Sequence, residues 1–224
     1  MAAVQRVLTL TDTTIGKKAA LAVSGAVLFG YVIVHMAGNL LTFAGREAYN
    51  AYAAAAKSNA LVLWGVRGVL FVAFVMHVAL VIELYVKSIA ARPVGYRVKR
   101  NVATSYAAAT MKYSGPALLL YVLFHLAHFT YPGIALGRYD HSPTDVYGNF
   151  VGSFTVPWIA AVYVVANLLL GLHLYHGAFS MLQSLGLAHP RYDAKLRGAS
   201  RGFAFLVTAG NIALPFSVLF GLIR

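Results

Sequence analysis

The chain contains no cysteine. Disulfides, cysteine-ligated iron–sulfur clusters and the covalent C-x-x-C-H attachment of a c-type haem are therefore excluded. Charge is scarce as well: 11% of the 224 residues are Asp, Glu, Lys or Arg, against about 25% in a soluble domain. With 60% hydrophobic residues, most of the surface is expected to face something other than water. Acidic side chains are the rarest charge, 6 Asp and Glu against 18 Lys and Arg, giving a net charge of +12. In a soluble protein such a balance points to nucleic acid. Here the basic residues fall between long apolar runs rather than along one face, so no nucleic-acid partner is expected. The N-terminus does not read as a signal peptide, because its first apolar block starts after Lys18, is too long for an h-region and has no small-residue cleavage pattern.

What the chain has is five apolar stretches, at about residues 19–43, 61–86, 113–131, 156–185 and 203–222. A bilayer core requires roughly 20 apolar residues in a helix. The expected fold is an all-α integral membrane protein, one domain over residues 1–224, with five transmembrane helices in a bundle. The loops orient it. Arg6, Lys17 and Lys18 precede the first stretch; Lys87, Arg92, Arg97, Lys99, Arg100 and Lys112 lie between the second and third; Arg191, Lys195, Arg197 and Arg201 lie between the fourth and fifth. The other side holds Arg46, Lys57, Arg138 and Arg224. Cytoplasmic loops are enriched in Lys and Arg, so the N-terminus is expected in the cytoplasm and the C-terminus outside. The Ala-rich segment 44–59 reads as a short surface helix, segment 92–109 as partly helical, and segment 132–155, with its Pro, Gly and Asp turn signals, as irregular.

Four histidines fall at two depths. At 1.5 Å per helical residue, His35 lies roughly 25 Å beyond Lys18 and His125 roughly 20 Å beyond Lys112, both toward the outer side. The second and fourth stretches run the other way and bring His77 and His173 to a shared inner level, roughly 24 and 26 Å from their starts. The segments Tyr31-Val32-Ile33-Val34-His35-Met36-Ala37 and Tyr121-Val122-Leu123-Phe124-His125-Leu126-Ala127 share the pattern Y-V-x-x-H-apolar-A. A lone membrane histidine often serves as an interhelical hydrogen-bond partner. Four in two layers point further, because intramembrane ionisable groups are costly and functional and imidazole is the usual axial ligand of haem iron. Two imidazoles on one iron leave it no open position, so it transfers electrons. His128 and His176 each follow a proposed ligand by three residues and share its helix face. By spacing alone, either member of each H-x-x-H fits; the repeated pattern favours His125, and contact with a haem propionate or a carbonyl is the expected role of His128 and His176.

These residues resemble the single-chain di-haem cytochrome b anchors of succinate dehydrogenase and fumarate reductase. The likeness covers nearly the whole chain: Val34-His35-Met36; the stretch from Ala44 to Asn50; His77-Val78-Ala79; Phe124-His125-Leu126 with His128-Phe129; and His173 with Gly177 and Phe179. It implies two haem b, one held by His35 and His125 far from the partner subunits and one by His77 and His173 near them. It implies a flavoprotein and an iron–sulfur subunit on the cytoplasmic face of a bacterial inner membrane, and quinone, with menaquinone the expected form, as the electron partner. The chain alone would not be a succinate-oxidising enzyme. One departure concerns the acidic residue that some members place before the second helix for quinone protonation: only Glu47 is in that region, and Lys57 stands nearer the expected position.

Arg67, about two turns into the second helix, either snorkels to headgroups or contacts a propionate or quinone. Glu83 is expected to reach the interface beside Lys87. Trp64 and Trp158 fit an aromatic belt, and Ser24, Asn39 and Asn167 are candidate donors to the site. His141 and His189 fall in loops. Rival readings are a di-haem quinone anchor of another respiratory oxidoreductase, whose ligands are distributed differently, and a haem-free transporter, which calls for intramembrane carboxylates and broken helices.

Overall fold

The computed structural model describes residues 12–92, 94–95, 97, 104–131 and 141–224. It is all-helical, 84% helix with no strand among the described residues. In chain order the helices are α1 (Thr14–Leu40, closed by a 3-10 turn Leu41–Ala44), α2 (Arg46–Lys57), α3 (Ala60–Ala90), α4 (Tyr106–His125, continued by a π turn Leu126–Thr130), α5 (Val146–Phe154), α6 (Pro157–Ser184) and α7 (Asp193–Leu219). Hydroxyl and amide caps start several of them: Thr13 accepts from Gly16 N–H, Asn59 from Val62 N–H and Ser105 from Ala108 N–H.

Among the described residues four helices are long and apolar enough to cross a membrane: α1 with its 3-10 turn, α3, α6 and α7, with mean hydropathy of 1.9, 2.5, 1.7 and 1.7 in their most apolar windows. Their outward faces are apolar, with Val72, Phe205 and Leu206 all more than 60% exposed. Lipid is the solvent that such faces require. α4 is set apart by Lys112, Tyr113, Ser114, Gly115 and Pro116, which dilute its first half.

Two outcomes differ from the sequence reading. The third helix begins at Tyr106 rather than near 113 and changes to π geometry after His125, where Tyr131 N–H bonds to Leu126 C=O at 2.7 Å. The segment expected to be irregular contains α5, started by Asp145, whose carboxylate accepts from Gly148 N–H; its residues 132–140 lie outside the described residues. The surface helix expected over 44–59 is present as α2. Among the described residues of segment 92–109 the end is helical, as the first turn of α4, and residues 93, 96 and 98–103 lie outside the described residues.

α6 is the hub of the bundle. It packs along α7, α4 and α1, whereas α3 packs chiefly on α1. Burial follows: a third of the most apolar window of α6 and of α7 is buried, against 6% of that of α3. Small residues permit the close approaches. Gly171 faces Thr208, and Gly210 faces Met36, whose Sδ would lie 2.6 Å from any added Cβ. An aromatic core (Tyr49, Tyr147, Phe150, Phe154 and Tyr163, with Ile159 packed among them) fills the end where α2 and α5 cover the bundle. A smaller cluster, Leu174, Ala204 and Val207, lies farther along α6 and α7. At that opposite end Glu83 of α3 pairs with Lys17 of α1 and, at 2.9 Å, with Lys87, the role expected of it.

Candidate functional site

Between α1, α3, α4 and α6 lies a cavity of about 2800 Å³. Small-molecule sites span roughly 300–1,000 Å³, and a bundle packed only on itself interdigitates to few voids. This space is therefore large enough for more than one sizeable ligand. His35, His77, His125, His173 and His176 all line it.

The four layered histidines come together in the expected pairs. His35 of α1 faces His125 of α4 with ring centres 5.8 Å apart and planes at 83°. His77 of α3 faces His173 of α6 with centres 6.4 Å apart and planes at 55°. No pair crosses levels. With an imidazole nitrogen roughly 2 Å from the metal it ligates, two rings flanking one ion have centres roughly 6 Å apart.

Each level has one histidine with a hydrogen-bonded Nδ1. At the level farther from α2, the Ser24 hydroxyl donates to Leu21 C=O at 2.9 Å and lies 3.3 Å from His77 Nδ1. Since the Ser24 proton is committed to the carbonyl, its oxygen accepts His77 Nδ1–H, which leaves Nε2 with the lone pair. Gly25 makes room for that ring, for a Cβ there would sit 3.3 Å from His77 Cε1. The opposing His173 has a buried Nδ1 with no hydrogen-bond partner among the described residues. Such an unmet group costs about 1–3 kcal/mol, which a ligand in the cavity would relieve. At the other level His125 Nδ1 lies 3.3 Å from the Tyr163 hydroxyl, and the same hydroxyl lies 3.0 Å from His128 Nδ1. His128 Nε2 in turn lies 3.2 Å from Ser153 Oγ.

Haem b fits this site on several observations. The donor set is two neutral-capable imidazoles per level; the ring separations match a shared metal; and Gly68, Gly115 and Gly177 line the cavity at positions where an added Cβ would meet nothing within 4 Å. Among the described residues no group of three or more His, Asp or Glu gathers as a metal site.

The other candidates divide. Arg67 lines the cavity, lies over the Trp64 ring at 4.9 Å and has no ion-pair partner among the described residues. His176 borders both the cavity and a small pocket of about 70 Å³ with Arg197 and Arg201. His128 is buried and does not line the cavity. Asn39 accepts from Tyr49 OH at 2.8 Å, and Asn167 donates to Tyr163 C=O at 2.8 Å; both also line the cavity. Burial, with Tyr52 adding to it, pushes the Tyr49 phenol up to about 12 and keeps it a donor. Lys57 reaches Pro143 C=O at 3.4 Å. Sequence reasoning missed Tyr163, Ser153 and Gly25. The apolar context of Tyr163 resembles ordinary core, and only its place on α6, about three turns before His173, hinted that it faces the other level.

A scan of protein-family models gives no match, and searches of curated proteins and of solved structures find none.

Proposed function

We propose that this chain is the di-haem cytochrome b membrane anchor of a succinate dehydrogenase or fumarate reductase complex, with α4 as a fifth span. The observation that carries the reading is the pair of facing histidine couples, His35/His125 and His77/His173, at two levels of one oversized cavity. α4 contributes 20 residues, roughly 30 Å of helix, enough for a bilayer core. A haem b at each level would supply one-electron transfer between an iron–sulfur partner and membrane quinone.

The chain's own residues hold the axial rings, keep water out through the aromatic core at the α2/α5 end, and present polar groups at the cavity rim. Arg67 has its guanidinium beside the cavity with no carboxylate partner among the described residues, which suits a propionate or a quinone carbonyl. The basic residues at the N-terminal ends of α1 and α7, among them Lys18, Arg191, Lys195 and Arg197, suit both cytoplasmic placement and docking of flavoprotein and iron–sulfur subunits. The transporter reading is weakened because Glu83, the carboxylate that α3 carries, is already neutralised by two lysines.

The test is purification in mild detergent with a haem assay, a reduced-minus-oxidised spectrum and identification of the bound chains. Two b-type components with a flavoprotein and an iron–sulfur protein are expected. A pigment-free chain would end the haem reading, and a different partner set would transfer it to another respiratory complex.

A further inference from the structure

The hydrogen bonds around His128 have a direction set by a single carbonyl. Asn149 C=O only accepts, so the Ser153 hydroxyl donates to it, at 2.7 Å. The Ser153 oxygen then accepts His128 Nε2–H at 3.2 Å. A neutral imidazole has one N–H, so His128 Nδ1 is an acceptor and receives the Tyr163 O–H at 3.0 Å. The Tyr163 oxygen accepts His125 Nδ1–H at 3.3 Å. The remaining nitrogen of His125, Nε2, has the free lone pair.

We propose that Tyr163 and His128 are positioning residues: with Ser153 they form a relay anchored on α5 that fixes the ring and tautomer of His125, presenting Nε2 to the metal. The inference rests on the haem reading above and sharpens it, because it resolves which member of His125-x-x-His128 binds iron. Both nitrogens of His128 are committed to protein partners and the residue does not line the cavity, so it has no atom to give. Partners that hold a ligating imidazole through its second nitrogen raise its basicity, and their removal typically costs about 10–100-fold in metal affinity.

Tyr163→Phe keeps the ring within its cage of Tyr121, Phe124, Phe129 and Phe154 and removes only the hydroxyl. It should leave both spectral components in place, weaken retention of one haem by about 10–100-fold, and shift the midpoint potential of that component positive while the other stays. His128→Gln should likewise retain two components. Independently, ¹⁵N NMR of the histidine-labelled chain without haem should find His128 in one neutral form, protonated at Nε2, and Ser153→Ala should mix the two forms. Loss of a whole component in His128→Gln, an unmoved midpoint in Tyr163→Phe, or an Nδ1–H His128 would overturn the relay. If the chain binds no haem, the NMR arm still decides the relay, and only the haem reading falls.

Discussion

The two histidine levels are built differently. His125 is held through a tyrosine, a second histidine and a serine that end on a carbonyl of another helix. His77 is held through one hydroxyl, that of Ser24, ending on Leu21 C=O of α1. The first arrangement sits within the aromatic core at the α2/α5 end; the second lies against α3, the helix with least buried surface. The difference teaches that a ligand can be oriented either by a deep core or by one local contact plus empty space for its ring. The second is the shorter arrangement, with one side chain between the imidazole and the carbonyl on which it ends.

The largest expected effect separates the levels outright. On the proposed di-haem reading, His77→Ala should remove the component held with His173 and lower haem from two to one per chain, while His35→Ala should remove the other; a difference spectrum checks both. If the two substitutions abolished the same component, the pairing would be wrong. Next comes Gly25→Leu. Its Cβ would already press on His77 at 3.3 Å, and the rest of the side chain would displace the ring, so the His77/His173 component should be lost or severely depleted. An equal loss at the other level would mean general misfolding rather than local crowding.

Ser24→Ala should be milder. Removing the hydroxyl at His77 Nδ1 is expected to weaken that haem by about 10–100-fold, measured as haem retained after dilution or transfer to a scavenger. Because the Ser24 contact has no longer relay behind it, the effect should at least match that of Ser153→Ala on the opposite level. A larger effect from Ser153→Ala would reverse the comparison.

The smallest effect concerns the α2/α5 cover. The Asp145 carboxyl is held below the usual carboxylate range, first by Asn50, then by Gly148 N–H, with Arg46 beside it. Its folded value is depressed, so its contribution is fully present above the unfolded value of about 3.9 and is lost as pH falls through the folded one. Hydrogen-exchange protection of α5, corrected for intrinsic rate, should fall in acid below about pH 4, with Asp145→Asn already lowered at neutral pH and flat. Protection unchanged across that range would remove Asp145 from the docking of α5.

Much of the fold was readable in advance because bilayer-length apolar runs state their own structure. The stretches around residues 19–43, 61–86, 156–185 and 203–222 correspond to α1, α3, α6 and α7. Helix rise alone brought His35 level with His125 and His77 level with His173, the pairs that face in space. α5 was not readable. Its residues Val146–Phe154 carry two glycines and an asparagine, which speak for turns, and it is held as a helix by Asp145 at its start and by burial of Tyr147, Phe150 and Phe154. The π turn after His125 was equally hidden, since nothing local in Leu126–Thr130 calls for it. The roles of His125 and His128 looked interchangeable because i and i+3 positions share a helix face.

Length, apolarity and residue rise act along one helix at a time, so the sequence by itself determined the helical class, the basic and less basic ends, and the depth of each histidine. Which nitrogen points where depends on groups far apart in the chain, Tyr163 and Ser153 for His125 and His128, Ser24 and Gly25 for His77. Only the tertiary structure decided that, because a hydrogen bond is directional over about 3 Å and no periodicity along a single helix encodes the neighbour it will meet.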